Sequence, residues 1–270
     1  MLTIGKIAFI GGGNMAEAII QGLTRGGVAV DICVAEINPK RRDEVTSRFP
    51  NVRVVENVLD AARWGEVVIL AVKPQQAAGV LEQLEPAISA DKLIISIMAG
   101  IQSTKIEEYL ASGCRVVRAM PNTPALIGAG ATAVCAGRNA SAADLELVRQ
   151  IFAMTGTADC VEEKLMDAVT ALSASGPAYV FTFIEALSDA GVKNGLPRDV
   201  AARLAVQTVL GSARMVVETG EHPALLKERV TSPGGTTIAG LHALENGSFR
   251  GVIMDAVEAA CRKSKELAGK

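Results

Sequence analysis

The stretch Lys6-Ile7-Ala8-Phe9-Ile10-Gly11-Gly12-Gly13-Asn14-Met15-Ala16 restricts the fold more than any other part of the chain. Ile7–Ile10 is a short apolar run that predicts a buried strand. Gly11 and Gly13 follow at once, with Ala16 just beyond. Ala18, Ile19 and Leu23 then share one helical face, and Gly26-Gly27 ends the pattern. Strand, glycine turn and helix in this order make the G-x-G-x-x-A fingerprint of a dinucleotide-binding site. Gly11 permits the tight turn. Gly13 has no Cβ, so a pyrophosphate can approach the backbone, and Ala16 is small enough for close helix–strand packing. The helix N-terminus offers unpaired N–H groups and a positive dipole end to phosphate.

Length and charge bound the alternatives. With 270 residues, 49% of them hydrophobic, the chain can build one large domain or two ordinary ones. A formal net charge of −2 with no basic run argues against a nucleic-acid surface. No apolar run is read as a membrane span; Val67–Val72 and Leu93–Ile97 suit buried strands. The N-terminus enters its first strand without a signal or transit pattern. Cys33, Cys114, Cys135, Cys160 and Cys261 lack C-x-x-C or metal-site spacing. They read as reduced, mostly buried thiols of a cytoplasmic protein with no metal.

A second strand, Asp31–Ala35, ends at Glu36, where a carboxylate would meet adenosine ribose hydroxyls and favour NAD. Asn38, Lys40, Arg41 and Arg42 follow closely and could instead hold a 2′-phosphate, favouring NADP. Asn38 also suits the cap of a helix opened by Pro39. Val52–Val55 is a third strand, and Asn57 suits the cap of a short helix running to Trp64. The fourth strand, Val67–Ala71, leads to Val72-Lys73-Pro74 and a helix to about Ala87. The fifth, Leu93–Ile97, ends at Ala99-Gly100, and a helix follows from Thr104 to Leu110. The sixth, Arg115–Met120, ends in Pro121-Asn122-Thr123-Pro124. Loops at the carboxyl ends of parallel strands carry ligand contacts. Lys73 is therefore a cofactor-side candidate, and Asn122 and Thr123 could bond a nicotinamide amide or a substrate. Ala131–Ala136 and Ala158–Val161 read as further strands around a helix at Ser141–Met154. The alternation predicts an α/β, doubly wound sheet.

Past Glu162 only helical patterning remains, which divides the chain into residues 1–161 and 162–270. Helices are expected over Glu163–Ala174, Ala178–Val192, Arg198–Glu218, His222–Thr231, Thr236–Glu245 and Phe249–Leu267. Ala178–Val192 is apolar on more than one face, as in a helix packed between two subunits. The loop Thr231-Ser232-Pro233-Gly234-Gly235-Thr236-Thr237 opens a helix. Its free N–H groups and the hydroxyls of Ser232, Thr236 and Thr237 suit a small carboxylate without an arginine.

Several of these stretches together resemble the pyrroline-5-carboxylate reductase family. They are Phe9–Ala16, Ala71-Val72-Lys73-Pro74, Met120–Pro124, Ser175-Gly176-Pro177-Ala178-Tyr179 and Val230–Thr237, with Leu241 and Glu245 following the last. The resemblance covers essentially the whole chain, and the last motif is the most specific. It implies reduction of 1-pyrroline-5-carboxylate to L-proline with NADPH or NADH, the last step of proline synthesis. It implies a Rossmann-type N-terminal domain and an all-helical C-terminal dimerisation domain, in a homodimer or a higher ring of dimers. By resemblance Gly11, Gly13, Asn14, Met15, Ala16, Asn57, Ala71, Val72, Lys73, Pro74, Ala99, Gly100 and Asn122 line the cofactor. Ser232, Gly235, Thr236 and Thr237 hold the substrate, Thr237 nearest the ring nitrogen and so the catalytic candidate. Many members prefer NADPH and carry a small polar residue near the end of the second strand, where Glu36 stands instead.

Such chemistry needs little from side chains. A cyclic imine can be protonated before hydride arrives, and its carbon is then a good electrophile, so alignment supplies much of the rate. The two histidines, His222 and His242, have no triad or metal spacing. One alternative is a hydroxy-acid dehydrogenase using Lys193 as acid and base, although a lysine at that helix end also serves the dipole. Another is a cofactor-dependent sensor without turnover.

Overall fold

The computed structural model describes residues 3–110 and 113–268. The chain begins β1 (Thr3–Ile10), α1 (Asn14–Arg25), β2 (Ala29–Ala35), α2 (Pro39–Arg48), β3 (Arg53–Val55), α3 (Val58–Trp64) and β4 (Val67–Leu70). It continues through α4 (Ala77–Leu84), β5 (Leu93–Ser96), α5 (Ser103–Tyr109), β6 (Arg115–Met120), β7 (Gly130–Ala136), α6 (Ala142–Ala153) and β8 (Gly156–Cys160). Then come α7 (Met166–Val169), α8 (Gly176–Lys193), α9 (Arg198–Thr219), α10 (Pro223–Arg229), α11 (Thr236–Asn246) and α12 (Phe249–Ala268). The helix expected from Pro74 to Ala87 is α4 with a 3₁₀ turn at each end.

Among the described residues, eight strands lie in the order β3-β2-β1-β4-β5-β6-β7-β8. All neighbours are parallel except β6 and β7. Those two are joined by a short loop with a single 3₁₀ turn, too little chain for the crossover a parallel partner requires. In β1 the pleat divides the core: Ile7 and Phe9 pack on one face with Ile19, Ile20 and Leu23. Ala8 and Ile10 face the other way, among Val68, Leu70, Leu81 and Leu84. Every residue of β4 is buried, because helices cover both faces.

The chain packs as two compact units. One comprises Met1–Ser175 together with Ala259–Lys270, and the other is Gly176–Glu258. In the first unit, Glu163–Ala174 is not the single helix its pattern suggests. A 3₁₀ turn and α7 lead into a π-helical turn over Thr170–Ala174. The wide turn is closed by the Ser175 N–H donating to the Thr170 carbonyl at 2.9 Å. It brings Ser173 to β7, where its Oγ donates to the Ala131 carbonyl at 3.2 Å. That tertiary bond, which periodicity cannot register, accounts for the break.

In the second unit α8 packs on α9. A Cβ on Gly191 would lie 2.9 Å from that of Ala201, so the helices touch almost backbone to backbone. Within one chain α8 buries only Ser188 fully, and Val180, Phe181 and Phe183 are exposed. Leu204, Leu210, Met215 and Val217 of α9 and Val252, Ile253 and Met254 of α12 are exposed too. The reading that no segment is long and apolar enough for a membrane fails at α9, which qualifies by length and composition. The small and aliphatic residues that lengthen its apolar run belong to this exposed helical surface, and the helix carries the ion pairs Arg203–Asp199 and Arg214–Glu218.

Candidate active site

The first unit offers a ligand edge at the carboxyl ends of its parallel strands. β1 lies between β2 and β4, where successive crossovers turn to opposite sides, the usual crevice for a ligand in such sheets. Gly11 leaves β1 with φ +102°, and a Cβ there would stand 2.7 Å from the Ala71 carbonyl oxygen. Its N–H donates to the Ala35 carbonyl at 2.8 Å, and the Ala71 N–H donates to the Ile10 carbonyl at 2.8 Å. The glycine turn is thus tied to both neighbouring strands. Gly13 caps α1 with extended backbone and no side-chain cap, and a Cβ on it would meet nothing within 4 Å. Asn14 and Met15 open the helix, while Ala16 is buried against the sheet. An uncapped helix N-terminus facing clear space fits a pyrophosphate.

Glu36 follows β2 directly. Its Oε2 accepts from the Gly12 N–H at 2.9 Å and its Oε1 from the Asn38 N–H at 2.9 Å. Asn38 caps α2 by accepting from the Lys40 N–H at 3.1 Å. Arg41 and Arg42, the arginines suggested for a 2′-phosphate, both contact protein groups. Arg41 donates through Nε to the Gly12 carbonyl at 2.6 Å and pairs with Glu17 and Glu44, each at 2.8 Å. Arg42 donates to the carbonyls of Glu36 and Ile37, both at 2.9 Å, and faces Glu56 at 3.3 Å. Buried Glu17 attracts Arg41 and Arg48, and two carbonyls at the end of β2 take up Arg42.

The remaining expected cofactor residues stand on the same edge. Asn57 caps α3, accepting from the Leu59 N–H at 2.8 Å. Ala71 and Val72 continue β4, Lys73 is exposed, and Pro74 opens a 3₁₀ turn. Pro74, Ala99 and Gly100 line a cavity of about 700 Å³. Its other wall includes Ala260, Lys263, Ser264 and Leu267 of α12, with Thr170 and Ser175 between. The Ser264 hydroxyl donates to Asp167 at 2.6 Å and fixes that helix end. Sequence reasoning missed these α12 residues, since no local pattern announces a return across so much chain. Asn122 is committed to protein groups: Oδ1 accepts from the Ala131 N–H at 2.9 Å, and Nδ2 donates to the Ser173 carbonyl at 3.2 Å.

A smaller cavity of about 170 Å³ adjoins Gly100 and is walled by Arg118 and Glu163. Glu163 accepts from the Ser103 N–H at 2.7 Å, from the Ser103 hydroxyl, and from Arg118 Nη1 at 2.8 Å. Burial acts to raise its pKa, but the bonds from Ser103 and Arg118 outweigh that and hold the carboxyl below its ordinary range. Burial also pushes the Cys135 thiol up to about 11, which leaves it protonated and inert.

The second unit carries the glycine–threonine loop. The Gly235 N–H closes a turn on the Ser232 carbonyl at 3.1 Å. Gly235 caps α11 with no side-chain cap, and Thr236 and Thr237 are its first residues. Ser232 and Thr236 are exposed and Thr237 is half-buried. Uncapped N–H groups beside hydroxyls can bind a carboxylate without a full opposing charge. The histidines have plain roles here: His222 Nδ1 accepts from the Ala224 N–H at 3.2 Å, and His242 lies 3.1 Å from Asn246. Lys193 occupies the last turn of α8. The structure therefore gathers the cofactor candidates on one sheet edge and the substrate candidates in one loop, in different units.

Comparison with known proteins gives two family models. "Pyrroline-5-carboxylate reductase dimerisation" matches residues 163–267, and "NADP oxidoreductase coenzyme F420-dependent" matches residues 6–100. Pyrroline-5-carboxylate reductase of Pisum sativum is 46% identical over 97% of this chain and 95% of its own. That of Synechocystis is also 46% identical, over 98% and 99%. A solved pyrroline carboxylate reductase of Plasmodium falciparum with NADP bound superposes with a TM-score of 0.87 at 37% identity, covering 99% of both chains.

Proposed function

Because this chain belongs to the pyrroline-5-carboxylate reductase family, we propose which of its residues carry out the family's reaction. The enzyme reduces 1-pyrroline-5-carboxylate to L-proline with NAD(P)H, the last step of proline biosynthesis. The observation that carries the assignment of parts is the open cap at Gly13, set where the sheet order reverses.

The glycine turn from Gly11 to Ala16 takes the pyrophosphate on the N–H groups of α1. Ala71–Pro74 and Ala99-Gly100 line the path toward the nicotinamide, and Asn57 and Glu36 flank the adenosine side. A bound reduced nicotinamide supplies the hydride. Ser232, Gly235, Thr236 and Thr237 hold the substrate carboxylate and ring at the start of α11. The Thr237 hydroxyl bonds the ring nitrogen and so orients the electrophilic carbon. Because the imine reaches the site already protonatable from water, no histidine, metal or lysine is asked to move the proton.

The chain binds its substrate and oligomerises through the helical region. We propose a homodimer, with a ring of dimers as its higher form, built on the apolar faces of α8, α9 and α12 and on residues 162–270 as the substrate-binding and dimerisation domain. Exposed Phe181, Met215, Val217 and Met254 support that reading. Five unpaired thiols favour a reducing, cytoplasmic setting.

The test is loss of absorbance at the reduced nicotinamide band with pyrroline-5-carboxylate, in parallel with NADH and NADPH, and identification of proline. Turnover is expected. A folded protein that binds cofactor but turns over a hydroxy acid and not the imine would overturn the assignment.

A further inference from the structure

The adenosine end of the cofactor edge carries a fixed negative charge with its neighbouring guanidinium groups engaged elsewhere. Glu36 stands at the end of β2, and each of its carboxylate oxygens accepts one backbone N–H, from Gly12 and from Asn38. Those bonds hold the carboxylate beside the glycine turn and leave each oxygen a further lone pair for a ribose hydroxyl. Arg41 is engaged by the Gly12 carbonyl, Glu17 and Glu44. Arg42 is engaged by two carbonyls and faces a second acid, Glu56. Lys40, exposed on α2, is the cation of this segment that remains, and a solvated lysine is a weak counterweight to a pinned carboxylate. A 2′-phosphate brings a further charge of about −1.5 to −2.

We propose that Glu36 makes this enzyme selective for NADH, accepting from the ribose hydroxyls and repelling a 2′-phosphate. Gly12 is held through both of its flanking peptides, by Glu36 at its N–H and by Arg41 at its carbonyl. Arg41 is on this account a positioning residue for the glycine turn and serves both cofactors alike. The inference rests on reading the β1–α1 turn as the dinucleotide site.

The test measures binding of NADH and NADPH to the full chain by nicotinamide fluorescence without substrate, alongside kcat/KM for each. Wild type is expected to bind NADH at least about tenfold tighter. Glu36→Gln, which keeps an acceptor oxygen, and Glu36→Ser should raise NADPH affinity by about tenfold and narrow the preference. Arg41→Ala should weaken both cofactors by a similar factor. Equal or tighter NADPH binding by wild type overturns the proposal, whatever the variants do. So does a selective loss of NADPH binding in Arg41→Ala. Binding of neither cofactor overturns the dinucleotide reading and the proposal with it. Tight NADH binding without turnover of the imine upholds the selectivity and overturns only the substrate reading.

Discussion

Asn122 and Ser173 are joined by a hydrogen bond that spans 51 positions of sequence: the Asn122 Nδ2 donates to the Ser173 carbonyl at 3.2 Å. The same side chain accepts from the Ala131 N–H, so one amide ties the end of β6 to β7 and to the π-helical turn. Replacing it with alanine strands these groups. We expect Asn122→Ala to lose about 1–3 kcal/mol of stability and to lower kcat more than it raises the cofactor KM. Urea unfolding and steady-state kinetics check this. A stable variant with only a raised cofactor KM would make Asn122 a cofactor ligand instead.

Gly11 and Gly13 should fail differently. A methyl on Gly11 meets the Ala71 carbonyl oxygen at 2.7 Å and forces an L residue to φ +102°, so Gly11→Ala should destabilise the fold by about 2 kcal/mol or more. A methyl on Gly13 meets nothing in the protein. Gly13→Ala should melt near wild type yet bind cofactor at least about tenfold more weakly, because the methyl projects into the space for the pyrophosphate. Thermal melts and cofactor titrations separate the two; equal behaviour would refute the distinction.

Thr237 is one of the first two residues of α11 and is half-buried. Thr237→Ala should lower kcat/KM by about 10- to 100-fold with little change in Tm, and Thr237→Ser should restore most of it. Normal turnover in folded Thr237→Ala removes the proposed role.

Glu163 should make stability depend on acid pH. Its folded pKa lies below the ordinary 4.5, so its contribution is complete above that value and disappears as pH falls through the depressed one. Glu163→Gln leaves Arg118, whose side chain is 5% exposed, without its charge partner. The substitution should cost on the order of 2 kcal/mol at pH 7, and less at pH 3. Chemical unfolding at both pH values gives the comparison, and a constant difference would contradict it.

The exposed apolar surface of the helical unit should carry the assembly. Val217 is 82% exposed and Phe181 63% exposed in a single chain. An aspartate at either position would place a charge in a dry interface. Light scattering should then report a smaller particle with reduced activity. An unchanged particle mass for both variants would place the interface elsewhere.

The sequence exposes what depends on neighbours along the chain. β1, the glycine turn and α1 were legible because a strand, its turn and its helix are continuous. Ala71, Ala99 and Asn122, which follow β4, β5 and β6, could be placed on one edge because parallel topology fixes that edge. Side-chain direction was not legible: Arg41 looked as free as Lys40 until buried Glu17 and the Gly12 carbonyl were seen to hold it. The π-helical turn escaped notice because Ser173 obeys a bond to β7 rather than a period. The apolar stripe of α8 was legible from its composition, but the degree to which it stays exposed in the single chain was not.

The first compact unit is discontinuous, made of residues up to Ser175 and again from Ala259. Synthesis therefore delivers the sheet and the glycine turn well before Ala260, Lys263, Ser264 and Leu267, which complete the cavity beside Gly100. The helical unit is, in covalent terms, an insertion that must be spanned before the nucleotide-binding unit receives its last wall. A ribosome-bound chain stalled before Ala259 could form the sheet but could not enclose that cavity. Cutting the gene after the last strand would leave the same open half-site rather than a finished module.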